Sequence, residues 1–108
     1  MSNKEILEKA KALIKDPSNW TRYTYKAYVC GATAYCAMGA IEQVIGFDRG
    51  FDHVNQYVDE RDAQRQELLF LLDNAAQDLY GNCGVVYVND KKNHSDVMAV
   101  FDKAIADA

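Results

Sequence analysis

The sequence predicts an α+β domain with three main helices, one short helix and a small antiparallel sheet of two or three strands. Three observations predict it. Apolar residues recur at helical spacing in three long stretches, which a sheet cannot use. One Tyr-, Thr- and Val-rich stretch alternates with period two instead. A proline and several glycines fall between these stretches, where chain direction must change. At 108 residues the chain can enclose one core but not two, so residues 1–108 are expected to form a single domain.

The first helix opens at Ser2, with Glu5 three residues on, the spacing of a capping box. Ile6, Leu7, Ala10, Leu13 and Ile14 give it one apolar face. Asp16-Pro17 ends it, because proline disfavours helical backbone in the residue before it. From Trp20 to Val29 the chain reads W-T-R-Y-T-Y-K-A-Y-V, which predicts a strand. A strand needs a partner, and Val85 to Val88 in G-N-C-G-V-V-Y-V-N-D is the expected one.

Residues 33–45 are expected to form the second helix, central to the fold, with Gly46 as its stop. Phe51, Val54 and Val58 suggest a short peripheral helix. A longer helix follows from about Asp62 to Tyr80, with Leu68, Leu71, Leu72, Ala75, Ala76 and Leu79 on its inner stripe and Phe70 pointing away. It should pack against the helix at 33–45. Asn93, with Asp96 three residues on, caps the last helix, which buries Val97, Val100, Phe101, Ala104 and Ile105.

Composition narrows the function classes. Apolar residues at 49% and charged residues at 26% are ordinary for a folded soluble protein. The net charge of −4 argues against nucleic acid as a partner, since such affinity comes from Lys and Arg neutralising phosphates. The polar start M-S-N-K-E lacks a secretory leader, and no apolar run reaches membrane-spanning length. A cytoplasmic location is therefore expected, with no membrane contact. Cys30, Cys36 and Cys83 make an odd set with no paired framework, so reduced thiols are expected. With only His53 and His94 beside them, neither a metal site nor a cofactor is predicted.

The order of motifs carries more. An Asp-Pro then Trp20-Thr21, then Y-C-A-M-G-A-I, then V-N-D-x-x-x-H-x-x-V before a terminal amphipathic helix resembles a family of small uncharacterised proteins. Its members occur in bacteria and their phages, and it is catalogued as a domain of unknown function. The resemblance covers nearly the whole chain. It implies that Trp20, Cys36, Gly39, Ala40, Asn89, Asp90, His94 and Val97 occupy the family's marked positions. Val88 stands where the family often has Trp, and Asn93 where it often has Thr. The resemblance implies no activity.

Two sites are open to chemistry. Cys36 near a helix start, activated by His94 with Asn89 or Asp90 orienting the imidazole, would make a cysteine-dependent hydrolase or transferase. Packing offers the stronger reason for the same residues. Gly31, Ala32, Ala34, Ala37, Gly39 and Ala40 let another element approach closely, and Cys36 read one turn inside its helix is a small buried hydrophobe. Asn89-Asp90 then reads as turn chemistry. The other site is the aromatic stretch: Trp20, Tyr23 and Tyr25 interleaved with Arg22 and Lys26 could stack a planar ligand and hold an anion, joined by Asn89, Asp90 and His94. His53 with Asp48, Asp52 and Asp59 reads as an acidic solvated face, able to meet a basic partner. A non-enzymatic accessory domain that binds a protein or a small molecule is the resulting expectation.

Overall fold

The computed structural model describes residues 1–29, 31–47 and 58–108, with the backbone alone at Val29 and at 58–60. Helix α1 spans Asn3–Ile14, and one 3-10 turn follows at Pro17–Asn19. Strands β1 (Lys26–Val29) and β2 (Ala32–Tyr35) form an antiparallel hairpin. Four helices complete the described residues: α2 (Ala37–Ile45), α3 (Val58–Tyr80), α4 (Val85–Lys91) and α5 (His94–Asp107). The class is α+β; five α-helices lie among the described residues, where four were expected in all.

Local chemistry sets most of the boundaries. The Ser2 hydroxyl accepts the Glu5 amide at 3.2 Å, satisfying one of the orphan donors of the first turn of α1. The Asp16 carboxylate accepts the Ser18 amide at 3.0 Å and starts the 3-10 turn with Pro17 at its head. Gly46 ends α2 in the left-handed region at φ 75, where a side chain would be strained, and its N–H reaches the Glu42 carbonyl. At the start of α5, the Asp96 carboxylate accepts the Asn93 amide at 3.1 Å.

The core lies where α1, α2, α3 and α5 meet. Ile6, Leu7, Ala10 and Ile14 of α1 pack with Met38, Ala40 and Ile41 of α2, Leu68, Leu72, Ala75 and Ala76 of α3, and Val97, Val100, Phe101 and Ala104 of α5. Phe70 is exposed, as its position off the α3 stripe predicts, but Leu79 is exposed as well.

Several expectations are corrected. The strand read from Trp20 to Val29 forms a continuous ladder only from Lys26, with Trp20 making a lone bridge to Tyr35, and Tyr23 between them adopts a left-handed φ of 66 that no strand tolerates. Its partner is the adjacent segment Ala32–Tyr35, because Gly31 at φ 81 closes a tight turn. The helix expected at 33–45 therefore begins four residues later, at Ala37. Val85–Val88 is not a strand but the first turn of α4, and Asn89-Asp90 continues that helix instead of forming a turn. Its reason is tertiary: Val85 and Val88, one helical turn apart, are both fully buried, and the Asp73 carboxylate of α3 accepts the Val85 amide at 2.8 Å. Gly84 permits this, since a Cβ there would lie 2.7 Å from the same carboxylate oxygen. The short helix expected around Phe51 and Val54, with His53, Asp48 and Asp52, lies outside the described residues, as does Cys30. The long helix starts at Val58, four residues before the expected Asp62. No helix among the described residues is long and apolar enough to cross a membrane.

Candidate functional site

The site is built where β2 turns into α2. The Tyr25 carbonyl accepts the Cys36 amide at 3.3 Å, which brings the segment before β1 against the start of α2. Gly39, one turn in, makes that approach feasible: a Cβ on it would stand 1.8 Å from the same carbonyl oxygen. Cys36 is the N-cap residue, not a residue one turn inside the helix, and its Sγ accepts the Gly39 amide at 3.3 Å. Only 8% of Cys36 is exposed. Burial pushes its thiol above the ordinary value, outweighing the amides of Gly39 and Met38, which favour the thiolate.

Asn89, contributed by α4, is the hub. Its side-chain oxygen accepts the Trp20 indole N–H at 2.7 Å and the Ala37 amide at 3.0 Å. Its side-chain nitrogen donates to the Thr21 carbonyl and to Asp90 Oδ1, both at 3.1 Å. All four hydrogen-bonding sites of this buried amide are thereby used. Asp90 Oδ1 also accepts the Tyr23 amide at 2.9 Å, which holds Tyr23 in its left-handed conformation.

These contacts leave a pocket of about 110 Å³ whose lining includes Tyr23, Tyr25, Cys36, Met38, Val86 and Asp90. The structure thus brings Tyr23, Tyr25, Cys36, Asn89 and Asp90 of the sequence-derived candidates together. It does not bring the others. Trp20, Arg22 and His94 form an adjoining stack: the His94 ring meets Trp20 edge-on at 5.4 Å, and the Arg22 guanidinium lies 4.8 Å from the indole centroid. Arg22 also donates to the Lys92 carbonyl. His94 Nε2 stands 2.6 Å from the Ile14 carbonyl; a carbonyl only accepts, so that nitrogen carries the proton. Lys26 lines a separate, more open depression with Tyr35 and Gln43. Among the described residues no three His, Cys, Asp or Glu side chains group closely enough to hold a metal ion.

Met38 and Val86 were not legible as site residues. Met38 follows Cys36 closely and could have been drawn in with it. Val86 carried no signal, because a strand assignment puts it in a sheet and gives no reason to face α2.

The Cys36 cap supplies a first prediction. Cys36→Ala removes the acceptor for Gly39 and is expected to lower stability by about 1 kcal/mol, while Cys36→Ser keeps an acceptor and stays near wild type. Urea unfolding of the two variants measures this; equal losses in both would mean that Sγ is not acting as a cap. The raised thiol pKa adds a pH signature. The folded state favours the protonated thiol, so this contribution is present below the unfolded thiol pKa and is lost as pH rises through the higher folded value.

The chain belongs to the family of unknown function DUF6197, whose model matches residues 1–107. No curated protein and no solved structure matches it.

Proposed function

We propose that this member of the family is a non-enzymatic cytoplasmic binding domain that takes a protein side chain or a small molecule into the pocket beside Cys36. One observation carries the reading: three segments distant in sequence (23–25, the start of α2, and α4) converge on one partly open pocket, and Tyr23 is held at φ 66 to wall it. A non-glycine residue kept in the left-handed region is the kind of local strain that function retains. The exposed rim supports it too, since Tyr23, Tyr25 and Val86 of the lining all remain open to solvent. Cys36 and Cys83 are free thiols, which fits a reducing compartment.

The test is a fragment titration followed by backbone-amide NMR. Saturable shifts are expected to cluster at Tyr23, Met38 and Asp90, and to vanish in Tyr23→Ala. Shifts scattered over the surface, or unchanged in that variant, would sink the reading.

A second reading is a hydrolase or transferase using Cys36 and His94, with Asn89 and Asp90 in support. The observation in its favour is that Cys36 lines the pocket. Against it stand the raised thiol pKa and the engagement of His94 with the Ile14 carbonyl. Iodoacetamide separates the two. Slow alkylation of Cys36 at neutral pH, accelerating only above the range of a free thiol, is expected of a packed cap; rapid neutral-pH alkylation would favour the nucleophile.

A further inference from the structure

We infer that the pocket is selective for a cationic head group, an alkylammonium or a guanidinium; this rests on the binding role proposed above and specifies its ligand class.

The first argument is that the protein itself takes up most of the amides at the start of α2. Helix N-termini bind anions through unpaired N–H groups. Here the Cys36 amide is given to Tyr25, the Ala37 amide to Asn89 and the Gly39 amide to Cys36 Sγ. Little of the dipole end is left to attract an anion.

The second argument is charge. Asp90 is the one charged side chain among the described residues that line the pocket. Its Oδ1 is occupied by the Tyr23 amide and the Asn89 side chain. Oδ2 makes no hydrogen bond within the described structure and is the acceptor on offer. A carboxylate oxygen beside tyrosine rings is the arrangement that favours an organic cation, through a charge-assisted hydrogen bond and the negative faces of the rings.

The third argument is internal precedent and size. The Lys91 ammonium already stands 5.1 Å from the Tyr23 ring centroid, so that ring attracts a cation in this fold. A volume of about 110 Å³ is somewhat below the roughly 150 Å³ of an engineered cavity that holds benzene. That suits the end of a lysine or arginine side chain, or a small amine.

Lys91 makes the inference sharply testable. It is a built-in competitor, so removing its charge must help a cation and hinder an anion. Removing the Asp90 charge must do the opposite. Asp90→Asn retains an oxygen for Tyr23 and Asn89, so it changes charge with little change of shape.

The experiment titrates the labelled protein with N-acetyl-lysine methylamide, N-acetyl-arginine methylamide and n-butylammonium. Butyrate, butanol and inorganic phosphate serve as controls. Saturable shifts of the Tyr23, Met38 and Asp90 amides are expected from the cationic probes alone. Binding should weaken at least tenfold in Asp90→Asn and tighten several-fold in Lys91→Gln. If only the amino-acid derivatives bind, the source is a protein side chain; if n-butylammonium binds as well as they do, it is a small amine. Should Asp90→Asn fail to fold, the sign of the Lys91→Gln effect decides alone. Binding of butyrate, butanol or phosphate at the same amides, ahead of the cations, overturns the cationic class and leaves the binding role standing. No saturable shift from any probe overturns both.

Discussion

Gly39→Ala is expected to lower the stability of the fold by more than about 3 kcal/mol, seen as a large fall in the urea midpoint and loss of the native amide spectrum. Helix propensity alone predicts the reverse, since alanine inside a helix is favoured over glycine by about 1 kcal/mol. Sterics decide the sign. The new Cβ would lie 1.8 Å from the Tyr25 carbonyl oxygen and 2.7 Å from its carbon. Both atoms are backbone, so no side-chain rotation relieves the clash. The Tyr25 segment must withdraw, which breaks its hydrogen bond to the Cys36 amide and opens the pocket wall. A loss under 1 kcal/mol would mean that this segment moves aside freely, and that the pocket is not a fixed feature.

Asn89→Leu should be comparably severe, at about 3–5 kcal/mol. Leucine fills much the same volume, but it leaves the Trp20 indole N–H, the Ala37 amide and the Thr21 carbonyl without their partner. Each buried group so orphaned costs about 1–3 kcal/mol, reduced where water reaches it. Urea unfolding followed by the fluorescence of Trp20, the one tryptophan, measures both the stability and the local environment. Asn89→Asp is the informative companion. Its oxygens still accept from Trp20 and Ala37, but an ionised carboxylate cannot donate to Thr21 and lies beside Asp90. Burial and that neighbour raise its folded pKa. The variant is therefore expected to be nearest wild type at low pH and to lose stability as pH rises through the raised value. A flat pH profile relative to wild type would show that residue 89 is not enclosed in the network described.

Helices α1, α3 and α5 were readable because their evidence is local: an apolar stripe, a cap at Ser2 or Asn93, a stop at Asp16-Pro17 or Gly81. The family match bears out the resemblance read from the motifs over nearly the whole chain. What failed was local preference set against distant contacts. V-V-Y-V favours a strand by itself, yet a carboxylate twelve residues earlier caps it as a helix and the core takes Val85 and Val88 together. Trp20 to Tyr25 alternates like a strand, but Asp90 bends the chain at Tyr23. Asn89 and Cys36 were singled out by motif, while their actual task of closing the start of α2 depends on contacts that no window of sequence contains.

That dependence has a consequence for how the protein comes into being. The first turn of α2 is completed by a side chain 52 positions downstream, and the same side chain reaches back 69 positions to Trp20. Contacts over such spans close large loops and form late. A growing chain that has emerged only as far as α3 can build helices but lacks the acceptor for Ala37 and the wall that α4 provides. The pocket is therefore a property of the finished chain, and a ligand that fills it would recognise, and stabilise, only molecules whose synthesis has passed residue 90.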